Sequence, residues 1–369
     1  MRKNIILFIL IIGFVSCRKD VNQSFAEYII YVDSLSTELP PIKSIRYIPL
    51  ETTDASLIRN INKIIVRDSV YYIFDNLSKK ILLFNKRGRF IKSINKVGQG
   101  PGEYIYPSDI DVDKEGNIYL SDFQSKNIIK YCFGNENDFE ILDVGESFMD
   151  FVIQGQYIYL SRLAREGTLD INLARWNMDS QEIEILKENE LIEGNSIGFA
   201  DHYFYRTGNE YAFYYERFHR IGYQIVGDSL REYISFESAS FPTDDEVKKQ
   251  AKLPKEKRNI DFASLDISAC YETEKYLLIT FNTTPFHTYS LVNKMTKVVY
   301  SVNSFQEVGV LGYEICASTG EDFISYFLPN DMNIRQIQRM SVDMDDINNE
   351  CVTNLSVEDN PVLVLFSFD

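Results

Sequence analysis

The sequence DNLSKKILLF at 75–84 returns in altered form as DFQSKNIIKY at 122–131, and this repetition decides the fold. Asp, Ser, Lys and Ile recur at the same positions of both segments, and an aromatic residue closes each one. A second pair, NIYLS at 117–121 and YIYLS at 157–161, repeats at a slightly shorter offset. A sequence period of about 40 to 50 residues is typical of β-propeller blades.

One unit also has the internal pattern of a four-stranded blade. Apolar and aromatic runs predict strands at 109–112, 118–121, 128–131 and 139–142. The segment KEGN at 114–117 predicts the first turn, in which Gly116 can adopt a positive φ without steric cost. Aromatic residues make up 14% of the chain, which suits sheets that pack face to face.

The same pattern predicts an all-β fold, a six-bladed β-propeller. The six units cover approximately residues 60–95, 107–143, 147–188, 199–237, 265–303 and 308 to the end. Two short helical insertions interrupt them. One opens with the capping box at Thr243–Glu246, and the other has helical spacing from Asp331 to about Asn349.

The ring must also close, because an unpaired blade edge favours aggregation. Ile45–Leu50 is an isolated strand pattern before the first unit, and Pro361–Phe368 is the last strand pattern of the chain. We therefore predict that the N-terminal and C-terminal strands pair.

The first 16 residues predict an export signal. Arg2 and Lys3 precede a short apolar run, and the segment FVSC at 14–17 has the pattern of a lipobox. A thiol is the side chain best suited to accept a lipid thioether, so we predict lipidation at Cys17. Residues 17–43 then form a lipidated tether, with one short strand or helical turn near Tyr28–Val32, and residues 44–369 form the propeller. The expected location is the cell envelope, with the protein anchored to the outer membrane and facing the periplasm or the surface.

The charge of the chain bears on its partners. The net charge of −16 becomes −18 once Arg2 and Lys3 leave with the signal, and an acidic protein is repelled by nucleic-acid phosphates. We therefore expect no nucleic-acid partner. The other cysteines show no metal-site spacing, and we predict that each is a single buried residue: Cys132, Cys270, Cys316 and Cys351. Disulfides stay open as an alternative, because pairing cannot be deduced from the sequence.

A glycine-rich segment supplies the candidate binding loop, made of Gly98, Gly100, Gly102, Glu103 and Tyr104. A phosphate-binding loop is excluded, since the segment has no Gly-Lys-Ser/Thr ending and Pro101 removes an amide donor. The segment predicts a turn between blades. It could line one mouth of the central channel, with Glu103 and Tyr104 facing a ligand.

Alternating carboxylates supply the second candidate. Asp109 and Asp111 lie on one face of a predicted strand, followed by Asp113. A calcium loop is the weaker interpretation, because Lys114 occupies the place of the required Gly, so we expect an acidic edge facing the channel or solvent. The repeated Asp75 and Asp122 predict turn caps. We expect no metal and no cofactor, since the three histidines show no ligand spacing.

Four segments carry a resemblance to a known family: VGQGPGEY at 97–104, PSDI at 107–110, GNIYLSD at 116–122 and EDNPVL at 358–363. Together they resemble the six-bladed β-propeller lipoproteins of Bacteroides-type bacteria, whose blades are similar to NHL-type repeats. The resemblance implies a fold and an envelope location. It carries no catalytic motif.

Two functions remain open at this point. The first is a non-enzymatic binding or scaffold module for a glycan, a peptide or an envelope protein, because the repeats lack catalytic residues. The alternative is a lyase or hydrolase that uses acidic or metal-binding residues from several blades in the central channel.

Overall fold

Short runs of Ile, Val, Leu, Tyr and Phe form the strands of the computed structural model. The structure describes residues 26–31, 39–165, 168–188, 202–207, 211–215, 219–237, 244–254, 257, 266–282, 287–302, 304–305, 310–312, 314–339 and 352–369. The predicted signal and Cys17 therefore lie outside the described residues.

The strands fall into six sheets, one for each predicted unit. Two strands precede the repeats: β1 (Tyr28–Tyr31) and β2 (Ile42–Pro49). Blade 1 contains β3 (Lys63–Arg67), β4 (Val70–Asp75), β5 (Lys80–Asn85) and β6 (Phe90–Ile94). Blade 2 contains β7 (Pro107–Val112), β8 (Ile118–Asp122), β9 (Asn127–Cys132) and β10 (Asn135–Asp143). Blade 3 contains β11 (Phe151–Gln154), β12 (Tyr157–Arg165), β13 (Thr168–Asn177) and β14 (Ile183–Glu188).

The second half repeats the plan. Blade 4 contains β15 (Phe204–Thr207), β16 (Tyr211–Tyr215), β17 (Ile221–Val226) and β18 (Ser229–Glu237). Helix α1 (Asp244–Ala251) follows it. Blade 5 contains β19 (Asp266–Glu272), β20 (Tyr276–Asn282), β21 (His287–Asn293) and β22 (Val299–Val302). Blade 6 contains β23 (Ile315–Ser318), β24 (Phe323–Phe327) and β25 (Val362–Phe368), with helix α2 (Asp331–Arg339) inserted before the last strand.

The ring closes as predicted. β2 pairs antiparallel with β25, so the N-terminal strand becomes the outer strand of blade 6. The register places Ile42 opposite Phe368 and Tyr47 opposite Val364. The six-bladed β-propeller with short helical insertions is thereby confirmed.

Part of the predicted tether belongs to the fold. β1 adds a fifth, parallel strand to the outer edge of blade 4, with Tyr28 opposite Ile234. Ile30 is fully buried there, and the Nζ atom of Lys297 lies 3.4 Å from the centroid of the Tyr28 ring. The docking buries Tyr28 and Ile30 on one face of β1, whereas Ile29 and Tyr31, which are also apolar, stay exposed on the other face. The closing strand β2 begins at Ile42, slightly before the predicted boundary at 44.

The core lies between neighbouring blades. Both faces of a blade are covered, so all five residues of the central strand β8 are buried, including Ser121 and Asp122 at its end. Between blades 1 and 2, for example, Tyr72 and Phe74 belong to the same apolar cluster as Ile110 and Val112. This packing leaves the innermost strands of the blades around the central axis, where they position the candidate site.

The remaining structural expectations concern turns and cysteines. Gly116 has a φ of +83°, as predicted for its turn. Cys132, Cys270 and Cys316 are free thiols, and only Cys270 is fully buried. Cys351 lies outside the described residues. None of the helices in the described ranges has the length and hydrophobicity of a membrane span.

Candidate functional site

The inner strands β3, β7, β11, β15, β19 and β23 surround the central channel. We call the end where they begin the N-terminal mouth, and the end where they finish the C-terminal mouth.

The glycine-rich loop is held by its own hydrogen bonds. The Gly98 amide donates to the Tyr104 carbonyl at 3.0 Å, and the Gly100 amide donates to Oε2 of Glu103 at 2.7 Å. A Cβ atom at Gly98 would lie 2.0 Å from Oε2 of Glu103, so a larger residue there would force the Glu103 side chain to move. The Glu103 carboxylate therefore caps its own loop.

This loop lies in the interface between blades 1 and 2, near their outer strands. Tyr104 is fully buried, and its hydroxyl donates to the Lys79 carbonyl at 2.7 Å. Gly102 packs against the ring of Phe139 in the outer strand β10, and its carbonyl accepts a hydrogen bond from the Tyr131 hydroxyl at 2.9 Å. The expectation that Tyr104 faces a ligand is thus wrong, because packing between the two blades takes its ring out of solvent.

Asp109 and Asp111 do lie on an inner strand, β7, but both are 1% exposed. Asp109 accepts hydrogen bonds from the Lys63 Nζ atom at 2.9 Å and from the Phe151 amide at 3.0 Å. The carboxylate therefore joins its own blade to the blades on either side.

Asp111, two residues further along β7, also links its own blade to other blades. It accepts from the Ile153 amide at 2.7 Å, from the Arg206 Nε atom at 2.9 Å and from Arg206 Nη2. Burial opposes its charge, but Arg206 outweighs that effect and lowers the pKa of Asp111 below its usual range. The ion pair therefore stays charged inside the channel.

A third carboxylate continues the pattern from blade 3 to blade 4. Asp150, which precedes β11, accepts from the amides of Tyr203 at 2.7 Å and Phe204 at 3.2 Å. An inner strand has an open edge, and its amides need partners when they are buried. The channel aspartates supply these partners and hold adjacent blades together.

Asp109, Asp111 and Asp113 therefore do not come together as a calcium-binding loop. Asp113 points elsewhere, since its Oδ1 atom accepts from the Asn117 amide at 2.8 Å and closes the following turn. Among the described residues, no three His, Cys, Asp or Glu side chains gather as a metal site. At the N-terminal mouth, the His202 Nε2 atom lies 2.9 Å from the Asn62 carbonyl oxygen.

The C-terminal mouth has a different character, because it contains a pocket of about 690 Å³. Its walls come from the turns that end the inner strands of blades 1, 5 and 6, with Tyr211 from blade 4. Polar lining residues include Asp68, Ser69, Glu274, Ser318 and Thr319. We call this cavity the C-terminal pocket.

Two ion pairs stand in its wall. Lys294 pairs with Glu272, whose Oε1 atom also accepts a hydrogen bond from the Tyr233 hydroxyl at 2.8 Å. Arg46 of the closing strand β2 pairs with Asp322. Each pair brings opposite charges together in the wall, although the Arg46 side chain is still 52% exposed.

Ser318 is the exception among the buried polar residues of the pocket. Its side chain is 7% exposed, and its Oγ atom has no hydrogen-bond partner among the described residues. A buried hydroxyl without a partner costs on the order of 1–3 kcal/mol. Ser318 ends the inner strand β23 and belongs to the wall of the cavity, but its hydroxyl oxygen is itself buried.

The sequence predicted none of these pocket residues. Asp68, Glu274 and Ser318 belong to turns of three different blades, and they share no motif. The only available signal was positional, since each follows or ends the first strand of its unit.

Comparison with known proteins adds the following. The model of the family described as "Domain of unknown function (DUF4934)" matches residues 36–367. No curated protein matches the chain. The crystal structure of a "Putative exported protein" from Bacteroides fragilis NCTC 9343 is similar, with 20% identity, a TM-score of 0.69, and coverage of 93% of this chain and 99% of that one.

A second solved structure is a member of the DUF4221 family from Bacteroides vulgatus ATCC 8482. It has 9% identity and a TM-score of 0.52, and the match covers 90% of this chain and 98% of that one. At these identities both likenesses concern the fold. Because the family model spans nearly all of the propeller, this chain belongs to the DUF4934 family.

Proposed function

We propose that this protein is a lipid-anchored envelope protein whose propeller, built of NHL-like blades, binds a small polar ligand in the C-terminal pocket. The observation that carries the binding role is the C-terminal pocket itself, a cavity whose polar walls come from turns of blades 1, 5 and 6. A cavity of about 690 Å³ is in the size range of small-ligand sites. It suits a short glycan or peptide better than the flat face of a folded partner.

The location rests on separate support. Residues 1–16 have the pattern of an export signal, and Cys17 stands where a lipoprotein carries its lipid. The fold likeness to an exported protein of Bacteroides fragilis agrees with this location.

The contacts favour binding over catalysis. The channel carboxylates of Asp109 and Asp111 already accept hydrogen bonds from cations and backbone amides. Glu272 is likewise engaged by Lys294 and Tyr233. A general acid or base needs a proton-transfer position that faces the substrate, and these groups face the protein.

The test is retention of envelope fragments by the purified propeller. Glycan and peptide digests of the envelope are mixed with protein, and retained molecules are identified by mass spectrometry after ultrafiltration. The blocking variant is Gly320→Tyr, because Gly320 lines the pocket and a Cβ atom there meets only Oε1 of Glu274, at 3.5 Å. The matched control is Glu321→Tyr, an exposed neighbour that does not line the cavity.

We expect the wild type and Glu321→Tyr to retain the same fragments and Gly320→Tyr to lose them. Retention that survives Gly320→Tyr would place binding elsewhere on the molecule. Fragments that are consumed and replaced by smaller products would instead support the lyase or hydrolase alternative.

A further inference from the structure

We propose that the docking of β1 onto blade 4 holds the C-terminal pocket in its ligand-binding shape, so that this N-terminal strand regulates the site. Two paths of contacts join the Tyr28 ring of β1 to Glu272 in the pocket wall. The inference rests on the proposed function, because it concerns the regulation of that same pocket.

β1 is an element that can dock and undock by itself. It has only four residues, and its one partner among the described strands is β18. Two buried side chains hold it in place, Tyr28 at 5% exposure and Ile30 at 0%. A short strand at the edge of a sheet belongs to the low-stability part of a fold, and it opens without global unfolding. β1 therefore supplies the two states that a regulatory contact needs.

The first path runs through Tyr233 of β18. The Tyr28 and Tyr233 rings meet edge to face, with their centroids 5.2 Å apart and their planes at 80°. The Tyr233 hydroxyl donates to Oε1 of Glu272 at 2.8 Å. Burial, followed by the charge of Glu272, raises the pKa of Tyr233, so this hydroxyl keeps its proton and remains a donor. The ring that packs against β1 thus carries the group that orients a carboxylate of the pocket wall.

The second path runs through the turn between β21 and β22, which contains Lys294 and Lys297. The Lys297 Nζ atom lies 3.4 Å from the centroid of the Tyr28 ring. Lys294 pairs with Glu272, and its Nζ atom also donates to the Thr273 carbonyl at 3.2 Å. One lysine of this turn therefore contacts β1, and the other holds the pocket wall.

Both paths end at Glu272, which is 2% exposed and lines the pocket beside Thr273 and Lys294. When β1 undocks, the Tyr233 ring loses its edge-to-face neighbour, and Lys297 loses the ring that attracts its charge. A buried carboxylate is costly when its hydrogen-bond donors move away, so Glu272 and its partners must rearrange. The docked strand therefore maintains the wall, and the undocked strand loosens it.

The experiment compares variants of the full-length protein. Ile30→Asp undocks β1, whereas Tyr233→Phe interrupts the first path and leaves every side chain of β1 in place. The matched control is Ile29→Thr, because Ile29 is 46% exposed on the outer face of β1 and threonine keeps the β-branched shape. The double variant of Ile30→Asp and Tyr233→Phe completes the set.

The readout is hydrogen–deuterium exchange followed by mass spectrometry. It monitors two amides of the pocket wall that do not contact β1: Thr273 donates to the Tyr276 carbonyl at 2.8 Å, and Glu274 donates to the Gly320 carbonyl at 2.7 Å. The strand β8 in blade 2 is the internal reference. A general loss of stability would speed exchange in β8 as well, so the difference between the two regions reports the coupling.

We expect Ile30→Asp and Tyr233→Phe each to speed exchange of the two pocket-wall amides by at least about threefold, with β8 unchanged. Ile29→Thr should match the wild type. The double variant should exchange no faster than Ile30→Asp, because undocking already releases the Tyr233 hydroxyl from Glu272. Retention of the envelope digests should fall by at least about threefold in Ile30→Asp and stay at the wild-type level in Ile29→Thr.

Unchanged exchange at the pocket wall would overturn regulation by β1, as would independent, multiplying effects in the double variant. Full retention of the digests by Ile30→Asp would also overturn it, and so would global unfolding of that variant by circular dichroism, since β1 would then not be separable. A wild type that retains no fragment refutes the proposed function instead, whereas the exchange data still decide whether β1 is coupled to the pocket wall.

Discussion

The substitution Asp111→Asn tests whether the channel aspartates hold the blades together. Asp111 is 1% exposed, and the side chain of its partner Arg206 is only 10% exposed. The amide of the variant cannot neutralise Arg206, and the donor that its NH₂ group faces, either the Ile153 amide or Arg206 Nε, loses its acceptor. Breaking a buried ion pair from one side costs about 3–5 kcal/mol. Arg206 Nη2 keeps a second acceptor, the Ile153 carbonyl at 2.8 Å, so we expect the lower end, about 3 kcal/mol.

The assay is urea unfolding followed by fluorescence of Trp176, the single tryptophan of the chain. Trp176 is 1% exposed in blade 3, which Asp111 joins to blade 2, so its emission should shift when these blades separate. Glu184→Gln is the control, because Glu184 pairs with Arg175 at the surface and is 58% exposed. That change should cost less than about 1 kcal/mol.

A double-mutant cycle separates the ion pair from other effects. Arg206→Met removes the cation with similar side-chain length, and the double variant with Asp111→Asn should be more stable than the sum of the two losses predicts, by about 2 kcal/mol. A loss for Asp111→Asn no larger than for Glu184→Gln, or strict additivity in the cycle, would refute the proposed clamp.

Other predictions concern four separate sites. Asp122→Asn should destabilise the protein most near neutral pH and progressively less below about pH 4, as measured by urea unfolding across pH 2–7. Burial raises the pKa of Asp122, but amide hydrogen bonds from Ile105 and Tyr106 outweigh this effect and lower the pKa. The stability that the carboxylate contributes is therefore lost as the pH falls through its pKa in the folded protein. Ser318→Ala should raise the free energy of unfolding by about 1 kcal/mol, since it removes a buried hydroxyl without a partner. Ile30→Asp should detach β1 and speed proteolytic cleavage near it, with the propeller still folded by circular dichroism. Cys17→Ala should abolish labelling by palmitate and release the protein from membranes.

Each of these has a contrary result. A stability difference for Asp122→Asn that stays constant from pH 7 to pH 2 would contradict the capping role. Ser318→Ala that lowers stability would show that the hydroxyl has a partner, and palmitate uptake by Cys17→Ala would show that another residue is lipidated. Global unfolding of Ile30→Asp would mean that β1 belongs to the structural core.

The sequence was informative wherever a physical requirement repeats with the blades. Asp75 and Asp122 were predicted to cap turns, and they do: Asp75 Oδ1 accepts from the Ser78 amide at 2.9 Å, and Asp122 Oδ1 accepts from the Gln124 amide at 3.2 Å. The closing strand was predictable for the same reason, because an open edge needs a partner. Such features follow from local chemistry that every blade must satisfy.

The candidate site was less accessible, because it depends on how blades distant in sequence converge. Tyr104 sits in a glycine-rich loop that reads as exposed, yet its ring is buried between blades. Glu274 and Ser318 meet at one mouth although they come from different repeats. Periodicity locates each blade in the chain, whereas the identity of a turn residue, and the neighbour it meets across the axis, are not periodic.

The docking of β1 also limits how the molecule can move if Cys17 carries the lipid. A freely extended chain from Cys17 to Ile42 would span up to about 90 Å, but the stretch from Cys17 to Tyr28 spans at most about 40 Å. The propeller would then be attached to the membrane by a short tether at one edge, with blade 4 nearest the bilayer and blade 1 farthest from it. Ligands would be captured within a shallow layer above the membrane, and the volume searched would shrink roughly tenfold, as the cube of the reach.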